Sequence, residues 1–319
     1  MNRLSGAFTH GTAANFKYQM VSFIDFCENY GLTLFPPQPK NVARYLTVCA
    51  DKPMVYATIN NKLSAIGKFY RLCGHKLDTS HPDLDIFMQA CKKQLSSTSK
   101  PKAPIEPGHL ILIQAICDIS IPDNRLFFVA LIMQFFTCVR KSNLLPPSLN
   151  TFSTLKHFTR GDFHFTPGGI TVTLPWTKTL QSRDDVITIL VADCPDAVLN
   201  PVAIYRDFIT DFPLYPPTLP AFALNDGSKL LVLTQKSYID SLKTHVSALG
   251  LPPEAYSSHS VRRGSTTCMF QASVPNKLIK HHGTWKTNCY ERYIQPSYSD
   301  KLIPTKKMVS HINSIFGAN

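Results

Sequence analysis

From Leu126 to Val139 the chain reads LFFVALIMQFFTCV, apolar on nearly every face of a helix. A helix with no polar face must be enclosed on all sides. No run in the chain approaches the ~20 apolar residues that a membrane span needs, so the enclosure has to be protein. This stretch therefore predicts the central buried helix of a domain, and it delivers Arg140 at its C-terminal end. With 319 residues, the chain is long enough for two domains, each with its own core.

Four amphipathic helices are predicted upstream. Phe16, Met20, Phe23, Phe26 and Cys27 recur at three- and four-residue steps from Thr12 to about Tyr30, where Gly31 ends the run. After a Phe35-Pro36-Pro37 loop, a second helix starts at Asn41 and passes through Val42, Tyr45, Leu46 and Cys49. A third spans about Val55 to Cys73 and is closed by Gly74; a fourth spans Pro82 to Gln94. The stretch LSSTSKPKAPIEP, Leu95 to Pro107, loses all periodicity and reads as a basic interdomain linker over residues 96–107. This divides the chain into units 1–95 and 108–319. The second unit adds a helix over 108–121, strand-like runs at Thr171–Trp176 and Val186–Val191, helices at Pro201–Phe212 and Gln235–Leu249, and a moderately amphipathic Asp300–Phe316. The expected fold class is mainly α with a small β-sheet.

A formal charge of +12 and a pI near 9.3 favour a polyanionic partner. Nine cysteines, an odd number with no Cys-x-x-Cys, and no signal sequence after Met1 point to a reducing, intracellular compartment.

Chemistry concentrates between His259 and Ile294. His259 and Arg262 stand at i and i+3 on a predicted helix with Ser258 as its N-cap. Pro275 suits the start of a following helix and Gly283 its end. His282 and Trp285 flank that glycine, and Tyr290 and Tyr293 follow. A tyrosine that cleaves a phosphodiester needs help, because a phenol titrates near pH 10. Arginine forks suit the charge that builds on the phosphorane oxygens. A lysine can protonate the leaving oxygen, and a covalent phosphotyrosine conserves the bond for religation. A zinc site from His259, His281, His282 and Cys289 fits no compact ligand spacing.

These residues resemble the tyrosine recombinases, the phage integrase family. Thr-Cys-Val-Arg-Lys-Ser-Asn-Leu-Leu-Pro around Arg140 is similar to the family's first arginine box. Lys178 in Trp-Thr-Lys-Thr-Leu-Gln matches the strand-turn lysine, His259 and Arg262 match His-x-x-Arg, and Tyr293 takes the nucleophile's place. Gly-x-Trp followed by Arg-Tyr-Ile is closest to the DIRS/Ngaro-type mobile elements of eukaryotes.

The resemblance implies a helical, SAM-like core-binding bundle in the first unit and a tyrosine-recombinase catalytic domain in the second. It implies site-specific cleavage and rejoining of double-stranded DNA through a 3′-phosphotyrosine, without metal, nucleotide or other cofactor. Arg140, Lys178, His259, Arg262, Trp285 and Tyr293 would be catalytic, with His282 and Tyr290 in support. It also implies a tetramer on two DNA sites, with the tail from about residue 297 exchanged between copies, no membrane association, and a nuclear location. Two departures stand out: Asn143 replaces an acidic residue, and Thr284 occupies the usual His or Trp position after Gly283. They leave open which of His282, Thr284 and Trp285 serves that position, and leave a domesticated, catalytically silent DNA-binding protein as the alternative.

Overall fold

The computed structural model describes residues 10–95, 101–175, 187–211, 216–225, 227 and 229–316. The chain divides into two compact units, Met1–Pro101 and Lys102–Asn319.

The first unit consists, among the described residues, of helices α1 (His10–Asn29), α2 (Pro39–Ala50), α3 (Tyr56–Leu72) and α4 (Pro82–Gln94). Proline opens α2 and α4, where a missing N–H leaves no hydrogen bond unmade. Gly31 reverses the chain after α1 at φ +60, a conformation costly for any residue with a Cβ. Phe23, Leu46, Ile59, Ile66 and Leu84 interlock at the centre. The Phe23 ring meets Tyr45 edge-on at 5.2 Å, and the Tyr45 hydroxyl finds Ser22 at 3.0 Å. Full burial of side chains this size stabilises by roughly 1.5–3 kcal/mol each.

The second unit is built around α6 (Pro122–Thr137), which follows α5 (Pro107–Ile116). Every residue of α6 from Leu126 to Phe135 is buried, as its all-round apolarity demands. A one-turn helix α7 (Lys141–Leu144) follows it directly. Next come β1 (Phe163–Thr166), β2 (Gly169–Leu174) and β3 (Ile187–Ala192), an antiparallel sheet in that order, with Phe163 opposite Val172 and Ile170 opposite Val191. On β3, Ile189 and Val191 face the core while Leu190 is left in solvent. Helix α8 (Pro201–Thr210), the hairpin β4 (Ala223–Asn225) and β5 (Leu230–Val232), and helix α9 (Gln235–Ala248) continue the chain. Two further helices, α10 (Ser258–Gln271) and α11 (Asn276–His282), a 3-10 turn (Asn288–Tyr293) and α12 (Tyr298–Phe316) complete it. Helices α8, α9 and α10 pack around α6 with strands β3 and β4.

Several sequence expectations shift. Helix α5 stops at Ile116 rather than 121, because the Asp118 carboxylate accepts from the Ser120 amide at 3.0 Å and its hydroxyl at 2.6 Å, a local turn that competes with the helix. Helix α10 is capped by Ser257, not Ser258: the Ser257 hydroxyl accepts from the His259 amide at 3.2 Å. It ends at Gln271, where Ser273 turns the chain at φ +58. Strand β1 and the β4–β5 hairpin were not expected; a tight Pro167-Gly168 turn before Gly169 marks the first. Trp176 and Val186 lie outside the described residues.

The linker expected over 96–107 is only partly one. The Ala103 amide donates to the Ala255 carbonyl and the Ile105 amide to the Ser260 carbonyl, both at 2.9 Å, and Ile105 is fully buried. Residues 102–106 are thus an extended strap on the second unit. Gly264 permits it: a Cβ there would lie 1.7 Å from the Ile105 carbonyl oxygen.

Gly264→Ala is expected to lower the unfolding free energy of the second unit by about 2–3 kcal/mol, since backbone and not a pliable side chain blocks the methyl. Gly108→Ala, in open space on α5, should instead be neutral or stabilising by up to about 1 kcal/mol. Denaturant unfolding of the pair checks the contrast.

Candidate active site

The loop after α6 is set by a buried polar relay. The Tyr238 hydroxyl donates to Gln134 Oε1 at 2.5 Å, and Gln134 Nε2 donates to the Val139 carbonyl at 3.2 Å. Cys138 bends the chain at φ +52, in the left-handed region that a side chain disfavours by roughly 1 kcal/mol. Arg140 follows as the N-cap residue of α7, half-buried, its carbonyl accepting from the Asn143 and Leu144 amides.

Helix α10 brings His259 and Arg262 to this loop. Arg262 is 2% exposed. Its Nη1 donates to the Cys138 carbonyl, and its Nη2 donates to the Gly283 carbonyl at 2.5 Å. The guanidinium carbon lies 4.1 Å from the centre of the Trp285 ring and 5.8 Å from that of Tyr293. No carboxylate pairs with it among the described residues. Burial lowers its pKa, as does the nearby charge of Arg140, but a guanidinium stays protonated.

The corner after α11 explains the glycine. The indole of Trp285 lies across Gly283, where a Cβ would sit 1.7 Å from the ring. Thr284 makes the corner at φ +57, its amide donating to the His281 carbonyl, and Trp285 turns inward. His282 points elsewhere: its Nε2 lies 2.7 Å from the Phe136 carbonyl. Of the three residues considered for the position after the glycine, Trp285 is the one whose ring faces both Arg262 and Tyr293.

Tyr290 and Tyr293 occupy the 3-10 turn, with ring centres 5.8 and 5.6 Å from Trp285. Tyr290 is buried, whereas Tyr293 is only half-buried. Two donors in this cluster, Arg262 Nε and Trp285 Nε1, are buried and have no hydrogen-bond partner among the described residues. Leaving such donors unmatched costs about 1–3 kcal/mol each. The arrangement therefore suits an anion that would accept from them.

His259 stands at the edge of the cluster. Its imidazole is held below the usual value by desolvation and then by the positive charges of Arg262, Arg140 and Lys141. Arg140, His259, Arg262, Trp285 and Tyr293 thus come together around one point. Lys178 lies outside the described residues. Asn143, within α7, is buried. Among the described residues no group of three or more His, Cys, Asp or Glu side chains could hold a metal ion, and no helix is long and apolar enough to cross a membrane.

Two compact units, the second with a histidine–arginine helix beside a tyrosine turn, also occur in known proteins. The chain is similar in sequence to a tyrosine recombinase/integrase and has the fold of solved structures of that family. An integrase/recombinase xerD homolog from Selenomonas ruminantium is 22% identical over 308 residues, 92% of this chain and 84% of that one. No family model matches. Among solved structures, the Tn1549 transposon integrase bound to transposon right-end DNA aligns at a TM-score of 0.63, with 15% identity over 96% of each chain. The XerH recombinase in its post-cleavage complex with a palindromic difH substrate aligns at 0.60, with 13% identity over 92% of this chain and 77% of that one. A lambda integrase dimer on a COC′ core site aligns at 0.58, with 13% identity over 90% and 89%.

Replacing Arg140 with Gln removes one of the cations facing His259, so the NMR titration midpoint of that imidazole should rise; an unchanged midpoint would contradict the clustering described above. Burial also holds His157 and His282 below the usual imidazole value. As pH falls, the unfolded chain therefore takes up protons first. The stability contributed by these neutral rings is full above about pH 6.5 and is lost as pH drops towards their folded-state values. Thermal unfolding should accordingly occur at lower temperature at pH 5.5 than at pH 7.5, a window above the carboxylates.

Proposed function

We propose that this protein cleaves and rejoins double-stranded DNA at specific sites, with Tyr293 as nucleophile. The Tyr293 hydroxyl oxygen attacks phosphorus, the bond to the 5′ oxygen breaks, and a 3′-phosphotyrosine forms. The free 5′-hydroxyl of a partner strand then reverses the step. Arg140 and Arg262 stabilise the negative charge on the phosphorane oxygens. Trp285 walls the phosphate and offers its indole N–H. His259, neutral near pH 7, can accept the tyrosine proton. Lys178 protonates the leaving oxygen, a role carried over from its sequence context alone. The chemistry needs neither metal nor nucleotide.

The observation that carries this reading is the pair of unmatched buried donors, on Arg262 and Trp285, beside a tyrosine that is not fully buried. Among the buried polar groups, these two are the ones a bound phosphate would satisfy in the presence of a nucleophile. Tyr290 is the weaker candidate because it is 3% exposed. His282 supports the loop after α6 and does not contact the phosphate.

The partner is duplex DNA, gripped by both units and attracted by the net charge of +12. Helix α12 leaves Tyr298, Met308 and Val309 more than half exposed. Such a helix suits exchange between copies, so a tetramer on two sites belongs to this reading. The Gly-x-Trp and Arg-Tyr-Ile pattern supports a eukaryotic DIRS/Ngaro-type origin and a nuclear location.

A pool of nicked duplexes incubated with the protein and run on a denaturing gel should give a covalent adduct. Tyr293→Phe should abolish it and Tyr290→Phe should retain it; the reverse would move the nucleophile to Tyr290. Binding without any adduct would favour a silent DNA-binding protein. Affinity should also fall steeply with salt, by about 10³-fold or more between 50 and 200 mM if six or more phosphates are contacted. A flat salt dependence would remove backbone contacts as the source of binding.

A further inference from the structure

A threonine on a helix commonly turns its hydroxyl back to the carbonyl four residues earlier. Thr266 does so, donating to the Arg262 carbonyl at 2.7 Å. Its neighbour Thr267 does not. Thr267 is 6% exposed and reaches out of α10, donating to the Tyr293 carbonyl at 3.2 Å and accepting from the Gln295 amide at 3.1 Å. One hydroxyl thus ties down the peptide groups on both sides of Ile294. The Arg263 Nε donates to Gln295 Oε1 at 3.3 Å and supports the same hold from the preceding turn.

The helix that supplies this tether also carries His259 and Arg262. The backbone of Tyr293 is therefore tied directly to the helix whose groups would bind the phosphate. The Tyr293 ring is oriented by Trp285 and Arg262, while its backbone is located by Thr267. We infer that Thr267 is a positioning residue for Tyr293, an inference resting on the reading of Tyr293 as nucleophile. Thr267 makes no contact with the reacting atoms. Its effect is on the rate at which a correctly bound phosphate is attacked, not on how tightly DNA is held. Displacing a nucleophile by about an ångström slows attack by on the order of a hundredfold.

The test uses the full chain, the duplex recovered from the trapped adduct, and the variants Thr267→Val, Thr267→Ser and Tyr293→Phe. Valine keeps the shape and loses the hydroxyl, whereas serine keeps the hydroxyl. Thr267→Val is expected to bind the duplex like the wild type but to form the adduct between about tenfold and a hundredfold more slowly in a single turnover. Thr267→Ser is expected to recover most of that rate. In the free protein, hydrogen exchange of a peptide spanning 293–297 should quicken in the valine variant only. If the valine variant unfolds early, Thr267→Ala replaces it in the same comparison. A wild-type rate in the variant lacking the hydroxyl, or a serine variant as slow as valine, overturns the inference. An adduct persisting in Tyr293→Phe overturns the nucleophile assignment instead, so the two failures are distinct.

Discussion

A guanidinium that is 2% exposed and has no carboxylate beside it among the described residues must find its acceptors in the backbone. Arg262 takes the Cys138 carbonyl on one side and the Gly283 carbonyl on the other. Those carbonyls belong to segments far apart in sequence, the loop after α6 and the corner after α11. Each adjoins a non-glycine bend with positive φ, Cys138 itself and Thr284. The bends turn the carbonyls towards the charge, and the charge holds the bends in place. Removing a partner of a buried charge is far more damaging than the net worth of the interaction, because the other partner is stranded. The loop after α6 and the corner that carries Trp285 are therefore both locked to α10 through one side chain.

The same burial shapes the electrostatics. Arg140, Arg262 and Lys141 crowd His259, and without an anion they repel one another. A phosphate entering the cluster would lessen that repulsion and satisfy the two unmatched donors, so binding and preorganisation act in the same direction. The same cations, after desolvation, favour the neutral form of the His259 imidazole at the rim.

Much of this was legible in the chain because its signals are local. The all-round apolarity of Leu126–Val139 required a central helix, and helical spacing with Pro and Gly stops marked α1 to α4. His259, Arg262 and Tyr293, which the fold brings together, stand out in the sequence through their motif order. What was missed depends on tertiary contacts. The role of Thr267 could not be read, since a threonine in a helix has several carbonyls to choose from, and only the fold brings Tyr293 and Gln295 within reach. The left-handed bend at Cys138 was hidden, because cysteine does not announce positive φ as glycine does. The strap 102–106 looked like linker because its composition suits solvent; burial of Ile105 and its backbone bonds to α10 and Ala255 depend on Gly264, 159 residues away. The β4–β5 hairpin is short and lacks clear alternation.

That strap gives the polypeptide joining the two units an unusual point of attachment. It is fastened, through the Ile105–Ser260 hydrogen bond, to the first turn of the helix that bears His259 and Arg262. A pull along the connecting chain would therefore load the Ala103–Ala255 and Ile105–Ser260 hydrogen bonds in shear, just ahead of and within the first turn of α10.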